Sequence, residues 1–259
     1  MKLIIVGATG FVGTEILRQS LLRKDISSVV AITRRALTSP PSSPKLQNVV
    51  VKDYDQYSDE AKTAFKDANG CIWTIAITPS KSSNYFWEEV VRVCQTSTMV
   101  GLRTMHEAGM GKPFRFIYMS GIAGERDQTK TPSFKPKYNL CYKLRLEHLI
   151  SVDFEHFANF VFHTLGLMRG ATESQVLAFS KEKGFEAMAA KPGLITDGGI
   201  AKRAFASVLY YTMSVPSIKV EQCAAAMLEQ VVCGIEKEPL LNDDLVEVAM
   251  RMEKEGKMV

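Results

Sequence analysis

Three glycines at three-residue intervals, Gly7, Gly10 and Gly13, punctuate the stretch Gly7-Ala8-Thr9-Gly10-Phe11-Val12-Gly13. Glycine lets a backbone turn tightly, approach a ligand closely and bring a helix against a strand. The first N–H groups of a helix, with the positive end of its dipole, favour an anion, so the chemistry this spacing suggests is capture of a dinucleotide diphosphate. Thr9, Phe11 and Val12 complete the candidate contacts. A glycine triplet alone is weak evidence; one set between an apolar strand and a helix is in the context the motif needs. Two arginines, Arg34 and Arg35, follow the second apolar run. An acidic residue there would hold the 2′-hydroxyl of NAD, whereas arginine suits the 2′-phosphate of NADP. The reading favours NADP(H); the alternative is a pair of solvated arginines beside a loop. Asp53 is a candidate adenine contact. Thr78 breaks an apolar run where the ribose and nicotinamide would pass.

These residues need a frame to bring them together. Leu3 to Val6 reads as a buried parallel strand, and Thr14 to Leu22 continues at helical spacing. Ser28–Thr33, Leu46–Lys52, Gly70–Ile77 and Phe114–Met119 read as further strands. Gln56–Lys66 and the amphipathic stretch Phe86–Met110 read as helices between them. Strands alternating with helices indicate right-handed βαβ units and a doubly wound, mostly parallel α/β sheet of the Rossmann type. Ligands of such sheets bind beyond the carboxyl ends of the strands, where Gly7, Arg34, Thr78 and Ser120 would all lie.

Composition sets the outer bounds. A chain of 259 residues with 46% hydrophobic content can fill the core of one α/β domain. Its 32 basic and 28 acidic residues give a net charge of +4, too mild and too evenly spread to argue for nucleic acid. The five cysteines are scattered and form no CxxC pair, which argues for reduced thiols rather than a disulfide framework or a metal site. The core strand begins at residue 3, no apolar run reaches membrane-spanning length, and a cytoplasmic protein is the expectation.

The glycine stretch, Arg34-Arg35 and Tyr118-Met119-Ser120-Gly121 together resemble the atypical short-chain dehydrogenase/reductase superfamily. The likeness is greatest to small NAD(P)-binding proteins of the TIP30/NmrA-like type, including those described as nucleoside-diphosphate-sugar epimerase-like. It extends to Lys191-Pro192-Gly193, Val215–Ile218 and Pro239–Leu245. The resemblance implies a serine after the fifth strand that orients a carbonyl, and a Tyr-x-x-x-Lys pair on the next helix. There the tyrosine moves a proton, and the lysine lowers the tyrosine pKa and holds the nicotinamide ribose. Four-residue spacing puts such a pair on one helix face. Ser120 matches the serine and Lys143 the lysine, but the residue four before Lys143 is Asn139. Tyr138 is five positions away, roughly 140° around an ideal helix. Lys143 is thus a candidate ribose ligand or a solvated lysine, and Tyr138 a candidate proton donor or a packing tyrosine.

The pattern then departs from the resemblance. Lys143–Arg145 would join naturally to Gly170–Phe179 as one amphipathic helix leading into a strand over Gly184–Gly193. On that reading Leu146–Arg169 (residues 146–169), with His148, His156 and His163, is an insert, or a retained intron translated in frame; alternatively Phe157–Met168 is itself a strand. The histidines are spaced by eight and seven and joined by no acidic or cysteine cluster, so no metal site is expected. Ile200–Tyr211 and Val220–Ile235 read as helices, assigned with the remainder of 200–259 to a small lobe over the substrate cleft. The expected function is an NADP(H)-dependent oxidoreductase acting on a small carbonyl/alcohol or C=C substrate. The alternatives are a non-catalytic NADP(H)-binding redox sensor and an isomerase or epimerase that keeps the cofactor bound. A homodimer or a regulatory protein partner fits either class.

Overall fold

The computed structural model describes residues 1–38, 42–82, 84–130, 154–197 and 215–258; at 79, 80 and 154–163 only the backbone is described. Tyr138 and Lys143, the expected helix Ile200–Tyr211 and the proposed junction at Lys143–Arg145 lie outside these residues.

A seven-stranded parallel sheet forms the frame. Its strands are β1 (Lys2–Val6), β2 (Ser28–Thr33), β3 (Leu46–Val50), β4 (Gly70–Trp73), β5 (Arg115–Met119), β6 (Glu186–Lys191) and β9 (Leu240–Leu241), in the order β3-β2-β1-β4-β5-β6-β9. Short strands β7 (Leu194–Thr196) and β8 (Ser217–Lys219) pair separately. The chain runs outward from β1 through β2 and β3, then returns to β4 on the other side of β1, so the strand order reverses between β1 and β4. That reversal opens a crevice at the carboxyl ends of the strands.

Alternate residues of each strand face opposite sides, and both sides are buried. Leu3, Ile5, Ile72, Ile117 and Met188 pack under helix α1 (Phe11–Leu22) and two C-terminal helices, α7 (Val220–Cys233) and α8 (Asn242–Lys254). Ile4, Val6, Trp73, Phe116 and Tyr118 face the other layer. That layer comprises α2 (Asp59–Phe65), α5 (Ser97–Gly109) and the long helix α6 (Phe154–Lys183). Two short helices, α3 (Pro79–Ser82) and α4 (Trp87–Val91), precede α5. No helix among the described residues is long and apolar enough to cross a membrane.

Three expectations need correction. The strand expected over Gly70–Ile77 ends at Trp73, which pairs with Val6, the last residue of its neighbour β1. The helix expected over Phe86–Met110 is broken by a π-helical segment, Arg92–Thr96; one wider turn leaves the amphipathic pattern readable while shifting the face beyond it. Phe157–Met168 is not a strand, and Gly170–Phe179 is preceded by Phe154–Arg169 in one unbroken helix. Its buried residues Leu165, Met168, Thr172 and Val176 recur every three or four positions, the helical period. Ala224, Ala225, Leu228 and Val231 make α7 a small-residue face wedged against the sheet and α1.

Candidate functional site

The crevice begins at the glycine turn. The Gly7 N–H donates to the carbonyl of Ile32 (3.1 Å), and Gly7 itself adopts φ +90°. A side chain there would also lie 2.6 Å from Thr74 Oγ1, which donates to the Val6 carbonyl at the end of β1. Gly10 N–H closes the turn on the Gly7 carbonyl (2.9 Å). At Gly13 a Cβ would stand 2.8 Å from the Gly7 carbonyl carbon, so only glycine lets α1 start this close to β1. Gly10 caps α1 with no side-chain hydrogen bond, and the first turn holds no acidic residue. Compare α2, whose first turn is capped by Ser58 and carries Asp59 and Glu60. The N-terminal donors and dipole of α1 are thus left for an external anion. Thr9, Gly10 and Phe11 are exposed at the mouth, with Phe11 54% accessible, while Val12 and Gly13 are buried beneath it. This cradle fits a dinucleotide diphosphate.

On the β2 side, Thr33 is fully buried and the next two residues, Arg34 and Arg35, are exposed. Asn48 fixes that bend. Its Nδ2 donates to the Ala31 carbonyl (3.0 Å) and to Thr33 Oγ1 (2.9 Å), and its Oδ1 accepts from the Leu37 N–H (3.1 Å). The nearby acidic groups are drawn to a different cation. Arg92 meets Glu89 at 2.7 Å, Asp55 at 3.0 Å and Asp53 at 3.7 Å. Hydrogen bonding from Arg92 holds the Glu89 carboxyl below the usual carboxylate range, with Arg34 adding to it from further off. Arg34 and Arg35 form no ion pair among the described residues and remain available to an anionic ligand.

On the other side of β1, the chain leaving β4 passes Ile77 and the exposed Thr78 before entering α3. The Ile77 N–H donates to Cys94 Sγ (3.2 Å), which the π-helical segment presents to it. Burial pushes the Cys94 thiol up, so it stays neutral and is a packing group rather than a nucleophile.

Beyond β5 the polar groups are consumed internally. Ser120 is 3% exposed, and its hydroxyl donates to Glu173 Oε1 at 2.5 Å. The Glu173 side chain, fully buried on α6, also accepts from Arg126 Nε (2.7 Å) and faces Lys191 Nζ at 3.3 Å. Arg126 continues to Glu238, and Lys191, the last residue of β6, donates to the Gly124 carbonyl (2.5 Å). The hydroxyl that the resemblance aims at a substrate carbonyl donates here to a carboxylate. A hydroxyl hydrogen committed to a carboxylate is not free to polarise another oxygen.

The structure brings Gly7, Gly10, Gly13, Arg34, Arg35, Thr78 and Ser120 to the same edge of the sheet, with Asp53, beyond the end of β3, held by Arg92. Sequence reading missed Asn48, Arg169 and Glu173. Arg169 of α6 reaches the crevice, where Nη1 donates to the Ser120 carbonyl and Nη2 to that of Ile77 (3.4 Å). The available signal was the helical period of Leu165, Met168, Thr172 and Val176, which puts Arg169 and Glu173 beside that buried stripe.

No protein-family model matches the chain. A segment of 71 residues is 34% identical to Leucinostatins biosynthesis cluster protein T of Purpureocillium lilacinum; it covers 27% of this chain and 26% of that protein. Solved structures align over nearly the whole chain. The protein MoeE5 in complex with UDP-glucose and NAD shares 15% identity over 99% of this chain and 82% of its own, with a TM-score of 0.58. Uronate dehydrogenase from Agrobacterium tumefaciens shares 15% over 98% and 87%, with a TM-score of 0.57. A UDP-glucuronic acid 4-epimerase variant from Bacillus cereus, in complex with a fluorinated UDP-sugar and NAD, shares 13% over 98% and 83%, with a TM-score of 0.59. At these identities the likeness establishes the doubly wound α/β Rossmann fold.

Proposed function

We propose that this chain is an NADP(H)-dependent oxidoreductase of the atypical short-chain type, acting on a small carbonyl/alcohol or C=C substrate. The observation that carries the reading is the glycine turn feeding an uncapped, acid-free helix N-terminus beside two exposed arginines. Gly7, Gly10 and Gly13, with the N–H groups of Phe11 and Val12, bind the diphosphate, and Thr9 lines the mouth. Arg34 and Arg35 hold the 2′-phosphate, Asp53 borders the adenine and Thr78 the nicotinamide ribose. Nicotinamide supplies a hydride-accepting and hydride-donating carbon. The chain's own task is to bind and orient it and to exclude water from the crevice. Lys143 as a ribose ligand and Tyr138 as a proton donor belong to this proposal through the family resemblance.

One observation favours a second reading. With Ser120 committed to Glu173 and Asn139 standing where the resemblance implies tyrosine, a non-catalytic NADP(H) sensor fits the same cradle. The NAD-bound epimerase among the structural neighbours supports a third, an isomerisation with retained cofactor. Steady-state NADPH consumption against a panel of small aldehydes, ketones and enones tests the choice. Substrate-dependent loss of NADPH supports the oxidoreductase; product formed with no net loss supports the isomerase; neither, with NADPH still bound, supports the sensor.

A further inference from the structure

Among the charged groups at the β5 and β6 ends, Arg126 and Lys191 are matched by Glu173 and Glu238. Arg169 is different. It is partly exposed and forms no ion pair among the described residues; its recorded partners are the carbonyls of Ser120 and Ile77, just past the ends of β5 and β4. Guanidinium carries five N–H donors, so two bonds to carbonyls fix its plane and leave further donors, with the positive charge, just past the ends of β4 and β5. That charge already reaches its surroundings. The Tyr118 hydroxyl and the Cys94 thiol, both pushed up by burial, are each drawn partly back by Arg169. Gly121, at φ +135°, adjoins the guanidinium: a Cβ there would stand 3.5 Å from Arg169 Nη1, an ordinary contact.

Sheet order says which part of a ligand this cation meets. With the diphosphate over β1, Arg34 and Arg35 lie on the β2 side and Arg169 on the β4–β5 side, about two strand spacings, or roughly 10 Å, away from β1. A dinucleotide laid across the reversal point puts its two nucleoside halves on opposite sides. Resting on the NADP(H) reading above, we infer that Arg169 anchors the nicotinamide half of the dinucleotide, through the ribose hydroxyls and the adjoining phosphate, and favours its reduced form. The second clause follows from charge. The oxidised nicotinamide ring is positive and the reduced ring neutral, so a guanidinium beside it disfavours the oxidised ring.

Calorimetric titration of the full chain with NADPH, NADP+ and adenosine 2′,5′-bisphosphate tests this, because the bisphosphate has the adenosine half and no nicotinamide. Arg169→Gln weakens NADPH about tenfold, the worth of one charge-assisted hydrogen bond. It leaves the bisphosphate within twofold of wild type and brings the NADP+ and NADPH dissociation constants closer together. Arg169→Lys keeps the charge, and with it the preference for NADPH. Bisphosphate binding also reports that each variant is folded. Wild-type binding of NADPH with an unaffected Arg169→Gln overturns the assignment, as does equal loss of NADPH and bisphosphate, which marks Arg169 as scaffolding. Wild-type protein that binds none of the three ligands overturns the NADP(H) reading itself, and this assignment with it.

Discussion

The carboxyl edge of the sheet has two ends built on opposite plans. At the β1–β2 end, α1 begins without a side-chain cap or an acidic first turn, and Arg34 and Arg35 stand exposed. At the β5–β6 end, Ser120, Glu173, Arg126, Lys191 and Glu238 are joined in one internal network around a carboxylate with no accessible surface. Both ends are rich in hydrogen-bonding groups. What separates them is whether the protein supplies its own counter-groups. Donors left unmatched at a surface are cheap to hold in water and free for a ligand; a charge buried in a network is there to be satisfied, and removing one member strands the rest. The first plan makes a binding site, the second a brace.

The largest effect is expected at the brace. Glu173→Gln leaves Arg126 and Lys191 facing a neutral amide, and the cost is about 3–5 kcal/mol of stability. Thermal unfolding should show a Tm lower by on the order of 10 °C, while whatever protein stays folded binds NADPH as wild type does. Loss of NADPH affinity without loss of stability would mean that the network belongs to the binding site after all.

Gly13→Ala comes next and acts on both properties. Its Cβ meets the Gly7 carbonyl, backbone against backbone, so α1 must shift outward. Dinucleotide binding is abolished and stability falls by about 1–3 kcal/mol, read by calorimetry and urea denaturation. Gly10→Ala has more room, with the Gly7 oxygen 3.2 Å from the added carbon, and should be milder in both assays.

These two ends were not equally legible in the sequence. β2 runs over Ser28–Thr33 as read, and β3 and β5 agree to within two residues, because short apolar runs between breakers in a parallel sheet have one way to be buried. The glycine turn was legible for a related reason: its parts adjoin in the chain, and close approach of α1 to β1 demands glycine locally. The brace was not. Glu173 lies 53 residues beyond Ser120, and periodicity shows that a helix has a buried face without showing what that face meets. The same gap hid what α7 meets. Its run of small residues announces close packing, and only the fold shows that the partners are α1 and the sheet. Arg169 was hidden by helix phase, since its reach into the crevice depends on the unbroken course of α6.

Smaller effects sharpen the open end. Replacing Arg34 and Arg35 together by serine should leave unfolding unchanged, because neither side chain supports the fold. NADPH affinity should drop about ten- to a hundredfold, the worth of losing charge-assisted contacts to one phosphate, with NADH affinity unaltered. Raising salt from 0.05 to about 0.5 M should weaken NADPH by several-fold and NADH by less, since exposed charges are the ones screened.

The most direct test of the open end is calorimetric titration of the purified chain with NADPH and, separately, with NADH. The account predicts stoichiometric, tight binding of NADPH and much weaker binding of NADH. Equal affinity for both would contradict the role given to Arg34 and Arg35, and binding of neither would contradict the dinucleotide cradle on which the whole functional reading stands.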